Sequence, residues 1–270
     1  MGMADRRYGN SYRSSGSRFQ FGGGWPLTPG IKLLLISMFS VFVAEYLVAL
    51  EFGHRGSDWV LKWFGLIPAA AVFLGRIWQP FTYLFLHSLT DLMHIIMNML
   101  VLWMFGSMLE PVWGTRRFLN YFFLCGIGAG VVNVAATVLP MMWGRALSDI
   151  PTIGASGAIY GILIACAILF PDRQVFFFPL PIAIPMRWFV AIMAGIEFFS
   201  EFRASGDNVS HISHLGGMLI GYIYLRRGSF FSGVRNEVTD WKRRRNMRKF
   251  KVYMRNKSGD PPAPPDRWVN

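Results

Sequence analysis

A chain of 270 residues with 53% hydrophobic and 16% aromatic residues and a mean hydropathy of +0.35 is too apolar for a water-soluble domain. Its net charge is nonetheless +12, and that charge sits mostly in the first eighteen residues and beyond Arg226. An apolar middle with basic ends excludes an ordinary soluble enzyme and points to a multi-pass membrane protein. Cys125 and Cys166 both fall inside apolar runs, where a thiol packs as a small hydrophobe, so neither a disulfide framework nor a thiolate metal site is expected.

In chain order, residues 1–30 are rich in Arg, Ser and Gly with Pro26 and Pro29, and read as a disordered basic arm. The run from Ile31 to about Phe52 is long and apolar enough to span. It is too long for the apolar core of a signal peptide and lacks a cleavage site, so it is expected to be a retained first helix. Residues 53–88 are apolar but broken by Gly53, Gly56, Pro68, Gly75 and Pro80. They are expected to form a structured loop partly in the interface, with Trp59, Trp63 and Trp78 at headgroup level. Helix two, 89–109, carries His94 and Asn98, and a short turn from Glu110 to Arg117 leads to helix three, 118–139, which includes Asn133. A loop over 140–153 precedes helix four, which opens at the serine stretch and runs to about 170. A Pro-rich connection, 171–185, leads to helix five, 186–202, and helix six follows over 209–225. The Met-rich run in helix two, Met93, Met97, Met99 and Met104, reads as packing. The expected organisation is an all-α membrane protein: a basic arm (1–30), a polytopic bundle of six transmembrane helices (31–227), and a basic, Pro-rich tail (228–270).

Six spans return the chain to its starting side, and the positive-inside bias places both basic ends in the cytoplasm, in agreement with Arg116 and Arg117. The tail run Lys242-Arg243-Arg244-Arg245 suits anionic lipid or topology better than nucleic acid, because no nucleic-acid-binding module accompanies it. In this orientation helices two, four and six run inward from the outer side. His94, Asn98, Ser156 and His214 then fall in the first turns of their helices, at a common depth.

Ser156 stands in Gly154-Ala155-Ser156-Gly157-Ala158-Ile159-Tyr160-Gly161, where small residues at 154, 157, 158 and 161 leave one helical face nearly bare. Such a face packs against a neighbouring helix whether or not the serine reacts. His214, followed by Gly217 and Gly221, supplies a base and a matching bare face. Backbones that approach closely can bring a hydroxyl and an imidazole within about 2.6 to 3.2 Å, which a serine nucleophile requires. His94 and Asn98, spaced i, i+4, share one face. They can donate to a developing oxyanion beside the backbone N–H of Ser156, or simply staple helix two to its neighbours. Tyr160 suits either stacking on the imidazole or ordinary packing. Neither Asp nor Glu stands where it obviously orients His214, so a Ser/His dyad is expected rather than a triad. Glu45 and Glu197 lie near helix ends and suit a proton relay or a reach to the interface. His211 precedes His214 by one turn, but without His-Glu-x-x-His or ligand-spaced carboxylates or cysteines neither a metal nor another cofactor is expected.

Taken together, residues 78–225 resemble the rhomboid family of intramembrane serine proteases. The resemblance rests on Gly154-x-Ser156-Gly157 with Tyr160 and Gly161, His214-x-x-Gly217-x-x-x-Gly221, His94-x-x-x-Asn98, and Glu110-x-x-x-Gly114-Thr115-Arg116-x-Phe118, in that set. Trp78-Gln79 stands where many bacterial members have Trp-Arg. The resemblance implies Ser156 as nucleophile, His214 as base, His94 and Asn98 as oxyanion partners, and Tyr160 packed on the catalytic ring. It also implies a six-helix bundle with a water-filled cavity open to the outer face, lateral entry near helices two and five, and transmembrane proteins as substrates. The plain six-helix form suggests a bacterial inner membrane. A non-catalytic rhomboid-like protein that binds client transmembrane segments is the alternative, and a transporter using Glu45, Asn133 and Glu197 is a third reading.

Overall fold

The computed structural model describes residues 26–140, 150–177, 182–202 and 210–226, together with residue 247. Most of the expected basic arm, most of the 140–153 loop, the 203–208 connection and the basic tail lie outside the described residues.

The first helix, α1 (Pro29–Phe64), is longer than the apolar run alone suggests. It continues past the expected end at Phe52 because Gly53 takes φ +60°, a conformation open to glycine, and joins two helical segments at a kink. The start of α1 is capped from a distance. Glu110, buried, accepts hydrogen bonds from the backbone N–H of Gly30 (2.7 Å) and Ile31 (3.0 Å), from the Thr115 hydroxyl (2.6 Å) and from the Thr28 hydroxyl. A helix N-terminus carries unpaired N–H groups and a partial positive charge, and this carboxylate answers both.

The expected interfacial loop is indeed structured. It contains α2 (Pro68–Phe73), α3 (Gln79–Thr82) and a 3-10 turn (Tyr83–Phe85). Gln79, fully buried, holds it together: its carbonyl accepts from Ile67 N–H (3.1 Å) and its amide donates to the carbonyl of Lys62 (3.1 Å). Arg76 donates to the same Lys62 carbonyl (2.6 Å) and lies over the Trp63 ring, on which Trp78 also stacks.

Helix α4 (Leu92–Trp113) starts at Asp91, whose side chain accepts from Met93 N–H (3.0 Å). The expected turn from Glu110 to Arg117 shrinks to Gly114. Glu110 and Pro111 remain helical, and φ +78° at Gly114 permits the break before α5 (Thr115–Val138). Helix α6 (Ser156–Leu169) packs chiefly against α5 and α8 (His211–Arg226), and also against α4. Its Ala158 and Ile162 share the core with Leu102, Phe105 and Phe122. The Pro-rich connection forms an antiparallel hairpin of β1 (Gln174–Phe177) and β2 (Ile182–Pro185), with Val175 opposite Ile184. Its β-branched and aromatic residues favour the extended form. Helix α7 (Met186–Phe202) follows directly.

Among the described residues, three helices, α1, α4 and α5, are long and apolar enough to cross a bilayer; α6 is apolar but has 14 residues. The expected six correspond to α1 and α4 to α8, and their count as spans is not fixed by length alone. Leu33, Ile36, Leu47 and Leu50 on α1 and Ile192, Ile196 and Phe199 on α7 are exposed, as lipid-facing residues are.

Candidate active site

The segment before Ser156 is fastened to the first loop. Leu66 and Thr152 exchange backbone hydrogen bonds of 2.9 Å in both directions, and Gly154 N–H donates to the Tyr83 carbonyl at 2.9 Å. Gly154 itself has φ +113°, and a side chain there would strike His94 Nε2 at 2.7 Å. The sequence therefore needs glycine at this point for two separate reasons, backbone conformation and space. Helix α6 then begins at Ser156, whose backbone N–H, in the first turn, has no intrahelical acceptor.

The bare faces of α6 and α8 meet. A Cβ on Gly217 would lie 1.9 Å from the Gly157 carbonyl oxygen, one on Gly161 would meet Cys125, and one on Gly221 would meet the Tyr121 hydroxyl. Backbone contact at this level places His214 Nε2 2.7 Å from Ser156 Oγ. The start of α8 is tied to α5 by Asn133, whose amide donates to the Ser213 hydroxyl at 3.0 Å. Tyr160 stacks on the His214 ring with centroids 4.4 Å apart and planes within 17°. His214 is buried while Ser156 is half-buried, so the hydroxyl keeps a path to water.

His94 and Asn98 stand on the other side of the Gly154 segment. Ser88 N–H donates to His94 Nδ1 (3.4 Å), which leaves Nε2 to carry the ring hydrogen, and Nε2 is the atom facing Gly154. One Asn98 amide hydrogen goes to the His94 carbonyl (2.8 Å), and the amide nitrogen also faces Gly154. His87, in the loop before α4, lies against the His94 ring; burial first, and then the neighbouring His94, push its pKa down to about 4, so it adds no charge near neutral pH.

Glu197 and His211, neither of which sequence reasoning placed in the site, belong to it. Glu197 is buried, with Oε2 2.8 Å from His214 Nδ1 and 2.6 Å from His211 Nδ1, and its Oε1 accepts from the Tyr160 hydroxyl. The expectation that neither Asp nor Glu stands beside His214 is thereby corrected. Glu197 does lie near a helix end, but its side chain is buried against the first turn of α8 and Tyr160 of α6. The usable signal was an ionisable residue in an apolar helix close in sequence to the histidine. Glu45 likewise does not reach the interface: it is buried, and accepts from His87 N–H at 3.3 Å.

The donor atoms of Glu197, His211 and His214 lie within 4.8 Å of one another, a spacing compatible with a metal ion. Two donors about 2.0 to 2.1 Å from a tetrahedral ion would stand roughly 3.3 Å apart. The 2.6 and 2.8 Å separations are shorter than that and describe a cluster closed on itself, with a hydrogen bond from His211 and a charge contact to His214.

Comparison with known proteins gives this geometry a family. Residues 74–228 match the model of the Rhomboid domain. The chain is 29% identical over 140 residues to Rhomboid protein 1, mitochondrial, of Saccharomyces cerevisiae, covering 48% of this chain and 36% of that protein. It is 28% identical over 178 residues to Rhomboid protease GluP of Bacillus subtilis, covering 66% and 31%. It is also 28% identical over 148 residues to human Presenilin-associated rhomboid-like protein, mitochondrial, covering 51% and 35%. The matched part is about a third of the length of each of these relatives. Mitochondrial relatives do not fit the expected bacterial inner membrane, so what stands of that expectation is a membrane protein. The matched region takes in α4 to α8, every helix that builds the cluster, and more than half of the chain, which belongs to the rhomboid family of polytopic, all-helical membrane proteins.

Proposed function

We propose that this chain is an intramembrane serine endopeptidase that hydrolyses peptide bonds in or near the transmembrane segments of other membrane proteins. The observation that carries the reading is the 2.7 Å contact between His214 Nε2 and Ser156 Oγ. His214 takes the hydroxyl proton as Ser156 attacks a substrate carbonyl, and returns it to the leaving amine. The resulting acyl-enzyme is then hydrolysed by water activated at the same imidazole. The oxyanion that forms in each half-reaction is stabilised by the Ser156 backbone N–H with His94 Nε2 and the Asn98 amide, which face the same glycine-lined segment. Tyr160 holds the imidazole plane.

A helical substrate has already satisfied its backbone hydrogen bonds, so it must unwind locally before attack. Substrates with small or helix-breaking residues near one end of a span are therefore favoured. The basic ends of the chain lie on the inner side, opposite the site, and the tail Lys/Arg run meets anionic lipid.

The test is incubation of the purified, detergent-solubilised protein with a single-span substrate. Ser156→Ala and His214→Ala each abolish cleavage while substrate capture persists. Cleavage that survives Ser156→Ala contradicts the proposal, and capture without cleavage by the wild type favours the client-binding alternative.

A further inference from the structure

Resting on the serine-protease reading, we propose that Glu197 is a positioning residue that completes a Ser156-His214-Glu197 unit, with His211 and Tyr160 holding its carboxylate in place. The carboxylate is 7% exposed and gathers three neighbours: the Tyr160 hydroxyl on Oε1, and the Nδ1 atoms of His211 and His214 on Oε2. An ionised carboxylate can only accept, so each facing Nδ1 must bear hydrogen. For His214 that fixes the tautomer: Nδ1 is protonated, and the Nε2 lone pair is left for the Ser156 hydroxyl 2.7 Å away. When the serine proton arrives, the imidazolium forms 2.8 Å from an anionic oxygen.

The Nδ1–H of His214 is not aligned on Oε2 as a linear hydrogen bond. The carboxylate therefore acts by charge and tautomer in the resting state, and contacts of this kind tighten as substrate binds. His211 Nδ1, at 2.6 Å, is the stronger tether. Tyr160 joins the two halves of the unit, because its hydroxyl fixes Glu197 while its ring stacks on His214.

Among the described residues, the titratable groups facing His214 are few. Its own helix offers His211, α7 offers Glu197, α6 offers Tyr160 beside Ser156, and α4 offers His94 across the Gly154 segment. From α5, Asn133 contributes a neutral amide through Ser213; Tyr121 and Cys125 sit lower, at Gly221 and Gly161. Glu197 is thus the one anion in this set.

The test compares wild type, Ser156→Ala, Glu197→Gln and Glu197→Asp for kcat and KM on one single-span substrate. Glu197→Gln is expected to keep KM within about twofold and lose kcat by about a hundredfold or more. Glu197→Asp, which keeps the charge, recovers part of the kcat. Wild-type kcat in Glu197→Gln overturns the proposal while leaving the protease reading intact. A wild type with no Ser156-dependent cleavage overturns both. Should Glu197→Gln fail to fold, nitrogen NMR of wild-type protein labelled at histidine decides the matter: His214 protonated on Nδ1 at neutral pH supports the unit, and on Nε2 overturns it.

Discussion

The corner around Glu110 and the cluster around Glu197 use the same side chain in a helical membrane domain, and differ in what they place around it. Glu110 is met by two backbone N–H groups and two threonine hydroxyls, none of which titrates near neutral pH. Glu197 is met by two imidazoles and a phenol, each able to give up or take a proton. Along α4, Glu110 stands sixteen residues beyond His94, about 24 Å of helix away from that histidine. A buried carboxylate among fixed donors holds structure, whereas one among titratable donors is placed to follow a proton. Burial alone does not distinguish them, because both are nearly solvent-free.

The comparison breaks if the two glutamates respond alike. Glu110→Ala strands four donors and removes the cap of α1, and is expected to cost about 3 kcal/mol or more, read as a fall in the thermal midpoint in detergent. The molecules that remain folded keep their kcat, whereas Glu197→Gln loses kcat with a smaller change in midpoint. A next effect sharpens the contrast between glycines. Gly217→Ala drives a methyl group into the Gly157 carbonyl and is expected to cost about 1 to 3 kcal/mol and to separate Ser156 from His214. Gly195→Ala, with open space around it, is expected to be neutral or to stabilise by up to about 1 kcal/mol. Equal midpoints for the two variants would contradict the docking of α6 on α8. Smallest is Gln79→Ala, which leaves Ile67 N–H without its acceptor and loosens the loop that fastens Thr152 and Gly154, at about 1 to 2 kcal/mol.

These regions also differ in how far the sequence discloses them. The helices around the serine were legible because apolar runs, glycine spacing and an i, i+4 polar pair are local patterns, and helix five was located at both ends. The extension of α1 beyond Phe52 was not, since Gly53 reads as a breaker until its φ shows it serving as a hinge within a longer helix. The capping by Glu110 joins residues some eighty positions apart, which no periodicity can reveal. Trp78-Gln79 departs from the Trp-Arg of many bacterial members of the family. Gln79 in fact satisfies two backbone groups, and Arg76, three residues earlier, supplies the guanidinium. Glu197 was visible as a polar residue in an apolar helix, but its partners lie on two other helices, His211 and His214 on α8 and Tyr160 on α6.

The pairing of Ser156 with His214 is tested most directly by labelling the purified protein with a fluorophosphonate, which reacts only with an activated serine, and mapping the adduct by mass spectrometry. The 2.7 Å contact predicts one adduct, on Ser156, that disappears in His214→Ala. An adduct that forms equally well without His214, or substrate cleavage by a wild type that never labels at Ser156, would contradict it.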